Sequence, residues 1–330
     1  MAIVGIIANP SAGKDIRRLV AHASVFNNHE KVNIVRRVLL GLDAAGVDQV
    51  IIMPDSFAIG QKALEDVKLH LKTDFLEMPL TYSQSDSTHA AEIMRDRGAS
   101  CIITLGGDGT NRAVAKGCGQ APLLPISTGT NNVFPQMIEG TIAGLAAGVV
   151  ARGAVDTATT IRPTQRLEIL RDGQVIDIAL IDAVVYADLF IASRAVWDES
   201  KIRQIVLTQA EPHNIGLSSV GGNLNSFTLS TDQGLAIEVG GDTLQVLAPI
   251  APGLFRWVNI AAYRPLNVGD SVAVEHGPAM LALDGERQIK VRPGEQIHIR
   301  LSADGPHVVD VRVALRAARD KGLFVQSARG

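Results

Sequence analysis

The sequence predicts an α/β N-terminal domain with a Rossmann-like parallel sheet, followed by a mainly antiparallel, sandwich-like β domain. Apolar strands alternate with amphipathic helical patterns up to about residue 150, which indicates parallel strands joined by right-handed crossovers. After about residue 155 the pattern changes to short strands separated by Gly, Asp and Pro turns. Asp172-Gly173, between two of these strands, is a strong signal for a two-residue hairpin.

In the N-terminal part, the apolar spacing of Val32, Val35, Leu39 and Leu42 is typical of a buried helix stripe. The Ala/Gly-rich stretch 142–150 is too short to span a bilayer and is predicted to be a packed helix. Predicted strands cover 2–8, 48–53, 74–78, 100–105 and 123–126, and predicted helices lie near 31–46, 57–71, 87–97 and 110–117.

The later part is predicted to be rich in β-structure, and its last segment, Ala314–Lys321, to be a basic helix. We expect one domain over residues 1–153 and a second over 154–313, with 314–330 packing back on the first. Predicted strands in the second domain cover 166–170, 175–180, 226–231, 235–240, 244–248, 271–275, 279–283, 296–301 and 307–313.

Composition excludes several classes of function. The chain has 330 residues, a formal net charge of −3 and no basic stripe, so nucleic-acid binding is not expected. Its two cysteines, Cys101 and Cys118, lack zinc-ligand spacing, which favours a reduced, cytoplasmic location. The sequence begins directly with a strand and has no long apolar run, so neither a signal peptide nor stable membrane anchoring is expected.

The motif Gly106-Gly107-Asp108-Gly109-Thr110 directly follows a buried strand and precedes a helical pattern. In an open α/β sheet this is where ligands bind, and glycines allow phosphate to approach backbone N–H groups. A carboxylate there can hold a metal, accept a proton or fix a hydroxyl, which suggests phosphoryl transfer. Asp108 is expected to be unobstructed and to make few packing contacts. The alternative is a tight turn with Asp108 as a helix cap.

Two further polar loops follow strands of the same sheet. Asn9-Pro10-Ser11-Ala12-Gly13-Lys14 follows the first strand and could cradle phosphate, although it is not a Walker loop and could be an ordinary β–α turn. Ser127-Thr128-Gly129-Thr130-Asn131-Asn132 offers hydroxyls, amides and a glycine, or is a polar loop with a cap. Asp284-Gly285-Glu286 is either a hairpin turn or a second acidic site. The eight histidines lack metal-ligand spacing, and no metal-ligand set is assigned.

Together these motifs resemble the superfamily that joins NAD kinases with diacylglycerol and sphingosine kinases. Within it, the chain is most similar to the acetoin-catabolism protein X branch, described as ATP–NAD kinase-like. The resemblance covers nearly the whole chain, and its most specific element is the Gly106–Thr110 motif. Two features of NAD kinases are missing: the early Asn-Glu pair of the second domain, where this chain has Leu180-Ile181-Asp182-Ala183, and a Thr-Pro-Thr-Gly-Ser-Thr-Ala-Tyr-like segment.

The resemblance implies an ATP-dependent kinase that uses ATP and Mg²⁺ or another divalent cation, with NAD as the leading hydroxyl acceptor. Alternatives are a lipid or small-polyol kinase and a non-catalytic nucleotide sensor linked to acetoin catabolism. A homo-oligomer is expected. Asp108 would orient or deprotonate the acceptor hydroxyl or hold the metal, and Asp284 is the second candidate base. Nucleotide and phosphates would contact Asn9, Gly13, Lys14, Gly106, Gly107, Gly109, Thr110, Ser127, Thr128, Gly129, Thr130 and Asn131.

Overall fold

A computed structural model describes residues 1–12, 26–129, 131–187, 199–224, 229–275 and 277–326. Its strands are β1 (Ile3–Ala8), β2 (Gln49–Ile52), β3 (Lys72–Phe75), β4 (Cys101–Gly106), β5 (Leu123–Ser127), β6 (Ile161–Arg162), β7 (Arg166–Arg171), β8 (Gln174–Ala179), β9 (Asp182–Tyr186), β10 (Ile202–Leu207), β11 (Gln233–Ala251), β12 (Leu254–Asn267), β13 (Ser271–Ala273), β14 (Ala279–Leu283), β15 (Glu286–Val291), β16 (Ile297–Ser302) and β17 (Val308–Val309). Its helices are α1 (Asn28–Ala44), α2 (Ile59–Leu64), α3 (Gln84–Asp96), α4 (Asp108–Ala115), α5 (Gly140–Ala151), α6 (Thr157–Thr160), α7 (Ser218–Gly222) and α8 (Val311–Asp320).

The predicted parallel sheet is confirmed: the strands have the order β3-β2-β1-β4-β5-β17-β6, and all of them pair in parallel except β6, which pairs antiparallel with β17. Alternate residues of the strands face opposite ways, so helices cover both faces. Val4 and Ile6 of β1 face α1, α2, α5 and α8, whereas Ile3 and Ile7 face α3 and α4. The strand order reverses between β1 and β4, which is the position where such sheets bind ligands.

Close packing of α1 on α5 explains the Ala/Gly-rich stretch that the sequence analysis predicts to be a packed helix. A Cβ atom at Gly144 would lie 2.2 Å from the carbonyl oxygen of Val38, and one at Gly41 would lie 2.4 Å from that of Thr141. Larger residues would therefore force the two helix backbones apart. Within the described residues, no helix is both long enough and apolar enough to cross a membrane.

The later part of the chain forms two antiparallel sheets, as predicted. One has the order β12-β11-β10-β9-β14-β15 and the other β13-β16-β7-β8. Leu167 and Ile169 of the smaller sheet pack against Val185 and Leu281 of the larger one, which gives the sandwich its core. The opposite face of the larger sheet packs on α7.

Several element boundaries differ from those predicted. The predicted strands 235–240 and 244–248 are one bulged strand, β11, and β12, β9, β10 and β15 have no predicted counterpart. The predicted strand 307–313 is short, because Asp310 accepts a hydrogen bond from the N–H of Val313 and caps α8. Helix α8 packs on α5, which covers one face of the parallel sheet. Most of the predicted strand 226–231 lies outside the described residues.

Candidate active site

Three polar segments meet where β1, β4 and β5 end. The Nδ2 atom of Asn9 donates to Oγ1 of Thr110 at 2.9 Å, which ties the first loop to the Gly106–Thr110 motif. The N–H of Thr128 donates to the carbonyl oxygen of Gly106 at 3.2 Å, which brings in the polar loop of residues 127–132, here called the third loop. The structure thus places these segments together. Gly13, Lys14 and Thr130 lie outside the described residues.

The glycines of the motif are required by side chains that approach the backbone. A Cβ atom at Gly106 would lie 2.5 Å from the side chain of Thr110, and one at Gly107 would lie 2.7 Å from Oδ1 of Asn132. A Cβ atom at Gly109 would lie 2.9 Å from Oε1 of Glu286. These glycines therefore let the third loop and the late acidic motif, Asp284-Gly285-Glu286, contact the start of α4.

Asp108 is the first residue of α4, and its environment corrects the expectation of an unobstructed carboxylate. Oδ1 accepts a hydrogen bond from the N–H of Phe134 at 2.8 Å, and the N–H of Val133 lies 3.1 and 3.2 Å from the two carboxylate oxygens. Gly107, and not Asp108, occupies the N-cap position. The half-buried Asp108 side chain thus also fixes the chain that leaves the third loop.

Two buried oxygen atoms in the third loop have no hydrogen-bond partner within the described part of the chain. They are Oγ1 of Thr128 and Oδ1 of Asn131. The neighbouring Ser127 differs, because its Oγ donates to the carbonyl oxygen of Gly129 at 2.7 Å and accepts from Asn132 at 2.9 Å. Buried polar atoms are rarely left unsatisfied, so the two orphaned oxygens fit a polar ligand at this loop.

Asp284 is fully buried at the turn between β14 and β15. With φ angles of 50° and 77°, Asp284 and Gly285 form the predicted hairpin turn. The carboxylate accepts hydrogen bonds from the N–H groups of Leu180, Ile181 and Asp182 at 2.8 to 3.3 Å. Burial raises the pKa of Asp284, although Arg112 and these N–H groups favour the charged form.

Arg112, which belongs to no sequence motif described above, links α4 to the β sandwich. Its side chain is 2 % exposed, and its nitrogens lie 3.3 Å from Glu286, 3.5 Å from Asp284 and 3.9 Å from Asp177. Lys116, the C-cap residue one turn later, contacts the other oxygen of Asp177 at 2.6 Å. Arg112 looks like an ordinary helix residue in the sequence, because all three carboxylates come from distant segments.

Glu286 is the more accessible carboxylate of the late acidic motif. Its side chain is 30 % exposed, against 0 % for Asp284, and it accepts a hydrogen bond from Gln84 at 2.6 Å. It also lies against Gly109. A general base must reach the proton it removes, so this geometry favours Glu286 over Asp284 for that role. The catalytic roles of Asp108 and Asp284 stay predictions.

A parallel sheet with polar loops at its switch point, joined to an antiparallel sandwich, defines an α/β protein with a second, antiparallel β part. Residues 4–154 match the model of the ATP-NAD kinase N-terminal domain, and residues 165–304 match that of the acetoin catabolism protein X C-terminal domain. A structure described as "A putative diacylglycerol kinase from Bacillus anthracis str. Sterne" is 14 % identical, with 93 % of this chain and 98 % of that chain covered and a TM-score of 0.48.

The match to a curated relative is closer. Acetoin catabolism protein X of Cupriavidus necator is 39 % identical over 96 % of this chain and 92 % of the relative. This chain belongs to the acetoin catabolism protein X family, and it is a kinase-like protein.

Proposed function

We propose that this chain transfers a phosphoryl group from ATP to a hydroxyl group, with NAD as the leading acceptor. The observation that carries the proposal is the meeting of three polar loops at the switch point of the sheet, with two orphaned buried oxygens in one of them. The match to the ATP-NAD kinase N-terminal domain supports it. The relative's name leads us to extend a role in acetoin catabolism to this chain.

The described residues fit a nucleotide. The hydroxyl of Thr128 can donate to a phosphate oxygen, and Oδ1 of Asn131 can accept from a ribose hydroxyl or an amino group. Asn9, held against Thr110, presents the first loop to the same place. Gly13, Lys14 and Thr130 complete this binding set as predictions from the sequence.

A divalent cation bound together with substrate phosphates needs fewer protein ligands than a structural metal ion does. Among the described residues, no group of three or more His, Cys, Asp or Glu side chains is arranged to hold a metal ion. Mg²⁺ in kinases is usually held by one or two carboxylates together with substrate phosphates, and when bound it neutralises developing charge. We assign this role to Asp108, the residue before Gly109, and to Glu286, whose Oε1 lies against Gly109.

The protein's own contribution is to position the acceptor and receive its proton. Phosphoryl transfer depends on positioning and electrostatic stabilisation more than on covalent chemistry. Asp108 would orient or deprotonate the acceptor hydroxyl. Glu286, held by Arg112 and Gln84, lies against Gly109, the residue next to Asp108 in the first turn of α4. Asp284 would keep this arrangement rigid through its three backbone contacts.

Direct assay of NADP formation from ATP, Mg²⁺ and NAD tests the proposal. We expect turnover that falls in the variants Asp108→Asn and Glu286→Gln, and NAD recognition weaker than in other NAD kinases because position 181 is Ile instead of Asn. Losing a bidentate contact to a base costs roughly 1–3 kcal/mol, by analogy with base readout in DNA. Efficient turnover at low NAD would show that another residue recognises the base.

A non-catalytic nucleotide sensor is the second candidate, and a specific observation favours it. Both predicted catalytic carboxylates, Asp108 and Asp284, accept hydrogen bonds from backbone N–H groups. A sensor would bind ATP, with a rise in melting temperature, and transfer no phosphate to any hydroxyl acceptor. A ligand at 100 times its Kd stabilises the folded state by about 2.7 kcal/mol, so thermal shift can detect it. Binding without turnover therefore identifies a sensor, and absence of both refutes the nucleotide site.

A further inference from the structure

The guanidinium group of Arg112 faces a different carboxylate with each of its three nitrogens. Nη2 donates a hydrogen bond to Oε2 of Glu286 at 3.3 Å, Nε lies 3.5 Å from Asp284, and Nη1 lies 3.9 Å from Asp177. These carboxylates belong to β15, to the turn before it and to β8. An arginine suits this position, because its planar group presents donors in several fixed directions, whereas the ammonium group of a lysine is a point charge.

The burial of Arg112 limits what the residue can do. Its side chain is 2 % exposed, so the guanidinium group is remote from any substrate in solution. Nε and Nη1 make no hydrogen bond with the described residues, and the carboxylates of Asp284 and Asp177 compensate their charge from a longer distance. Within the described part of the chain, the hydrogen bond of this group is directed at Glu286. Any effect of Arg112 on a reaction must therefore act through the residues that it holds.

The same oxygen of Glu286 is also held from α3. Nε2 of Gln84 donates a hydrogen bond to Oε2 at 2.6 Å. The other carboxylate oxygen, Oε1, lies at the start of α4, 2.9 Å from the position that a Cβ atom of Gly109 would take. Donors on two helices thus fix Oε2, and because the carboxylate group is planar they also fix Oε1 against the turn that contains Asp108.

The contact with Arg112 also relates two carboxylates from different parts of the chain. Asp108 and Arg112 lie on the same helix, α4, four residues apart and therefore on one face. Glu286 is the first residue of β15 in the sandwich. A hydrogen bond between Arg112 and Glu286 therefore sets the position of Glu286 relative to Asp108.

We propose that Arg112 and Gln84 are positioning residues for phosphoryl transfer: they hold Oε2 of Glu286 so that Oε1 faces the acceptor hydroxyl. The inference rests on the proposed function. In that reaction the acceptor oxygen bonds to the γ-phosphorus of ATP, the bond from this phosphorus to the bridging oxygen breaks, ADP leaves, and the hydroxyl proton passes to Oε1. Arg112 keeps its own protons and touches no reactant. Displacement of a catalytic group by about 1 Å can lower a rate by about 10²-fold.

Steady-state kinetics of NADP formation from ATP, Mg²⁺ and NAD tests the proposal. Arg112→Lys retains the charge but loses the three fixed directions, and we expect kcat to fall by about 10–100-fold. KM for NAD should change little, because the buried Arg112 does not contact substrate. Gln84→Leu, at an exposed residue, removes the second donor to Oε2 and should act in the same way. Lys116→Met is the matched control: it breaks another ion pair between α4 and the sandwich, that with Asp177, and should keep the wild-type kcat.

Double-mutant cycles show whether the two residues act through Glu286. In the Glu286→Gln background, Arg112→Lys and Gln84→Leu should cause little further loss of kcat. An undiminished further loss would overturn the proposal, as would wild-type kcat in both single variants or an equal loss in Lys116→Met. Melting temperatures check that the variants are folded, and the Gln84→Leu cycle keeps the experiment decisive if Arg112→Lys is not.

Urea denaturation separates this proposal from the proposed function, because it needs no substrate. A wild type that makes no NADP would count against the proposed function, and the unfolding free energies of the same cycle would then test the contact between Arg112 and Glu286. Absence of coupling between the two residues would overturn the contact itself. Coupling without turnover would identify a structural ion pair and overturn the positioning role.

Discussion

Asp108 and Asp284 both accept hydrogen bonds from the backbone N–H groups of a distant segment, yet the two carboxylates differ in burial and in neighbouring residues. Asp108 is half-buried, holds the segment after the third loop and lies next to a loop with two orphaned polar atoms. Asp284 is fully buried and is held by three N–H groups and Arg112. The same kind of hydrogen bond thus reaches a half-buried carboxylate beside orphaned polar atoms in one region and a fully buried carboxylate in the other. We propose that the first region binds a ligand, whereas Asp284, through Arg112, connects the sandwich to α4.

The largest effect is expected for Asp284→Ala. The change leaves Arg112 without its nearest buried carboxylate and three N–H groups without an acceptor, so it should lower the free energy of unfolding by about 3–5 kcal/mol. Urea denaturation measures this loss. Asp172→Ala is the matched control, because Asp172 occupies the same left-handed position, φ 51°, in an exposed Asp-Gly hairpin. Equal losses in the two variants would show that turn conformation, and not the buried contacts, accounts for the effect.

Asp108→Asn should have an intermediate effect on stability and a large one on activity. Weakening the charge-assisted hydrogen bonds to Val133 and Phe134 should cost about 1–3 kcal/mol. If Asp108 also acts as general base, turnover should fall by about 10²–10⁴-fold. Turnover and melting temperature are measured on the same variant. Reduced stability with unchanged turnover would limit Asp108 to a structural role and favour Glu286 as the base.

Acidification should change the contributions of two buried carboxylates, Glu168 and Asp284, to folding stability in opposite directions. Burial acts to raise the pKa of Glu168, but hydrogen bonds from Arg166 and Arg300 bring it below the ordinary value. Its contribution to stability is therefore present at neutral pH and is lost as pH falls below the unfolded pKa through the lowered folded pKa. The pKa of Asp284 is raised by burial, so its contribution is full below the unfolded pKa and is lost as pH rises through the folded value.

Unfolding measured from pH 7 to about pH 3 distinguishes the two groups, since unfolded carboxyl groups titrate near pH 4. Over this range, Glu168→Gln should lose less stability than the wild type, and Asp284→Asn should lose more. Parallel curves for the wild type and both variants would show that neither carboxyl titrates differently in the folded state.

The smallest change in stability is expected for Thr128→Val, which replaces the buried hydroxyl by a methyl group of similar volume. Because Oγ1 of Thr128 makes no hydrogen bond with the described residues, this change should alter the free energy of unfolding by less than about 0.5 kcal/mol. ATP binding, measured by titration calorimetry, should nevertheless weaken. Ser127→Ala is the control, and it should cost about 1 kcal/mol because the Ser127 hydroxyl is hydrogen-bonded. An unchanged ATP Kd in Thr128→Val would remove this residue from the nucleotide site.

The parallel sheet and the position of its polar loops were predictable, because strand–helix alternation and the Gly106–Thr110 motif are local patterns. The Asp284 turn was also predictable as a hairpin. The hydrogen bonds that the N–H groups of residues 180–182 donate to Asp284 were not predictable, since nothing near either segment in the sequence indicates the other. Arg112 escaped prediction for the same reason.

The long hairpin was misjudged for a different reason. Gly240-Gly241-Asp242 has the composition of a turn, but in the structure these residues lie in a bulge within β11, where positive φ angles suit the two glycines. β12 lacks regular apolar alternation and contains Pro265, which weakens its strand signal. Tertiary pairing with β11 determines its structure.

The position of β17 has a consequence for how the protein is made. β5 ends at residue 127, yet its outer neighbour in the sheet is formed by residues 308–309, beyond the whole antiparallel sandwich. During synthesis the ribosome must therefore complete the sandwich before the seven-stranded sheet can close. Gln136 bridges the far end of β5, so until then the start of β5, at Leu123, is the part of this edge that is open. Unpaired edges of this kind make nascent chains prone to aggregate. Residues 1–153 expressed alone would leave Leu123 unpaired, so the N-terminal half depends on residues 308–309 to complete its sheet.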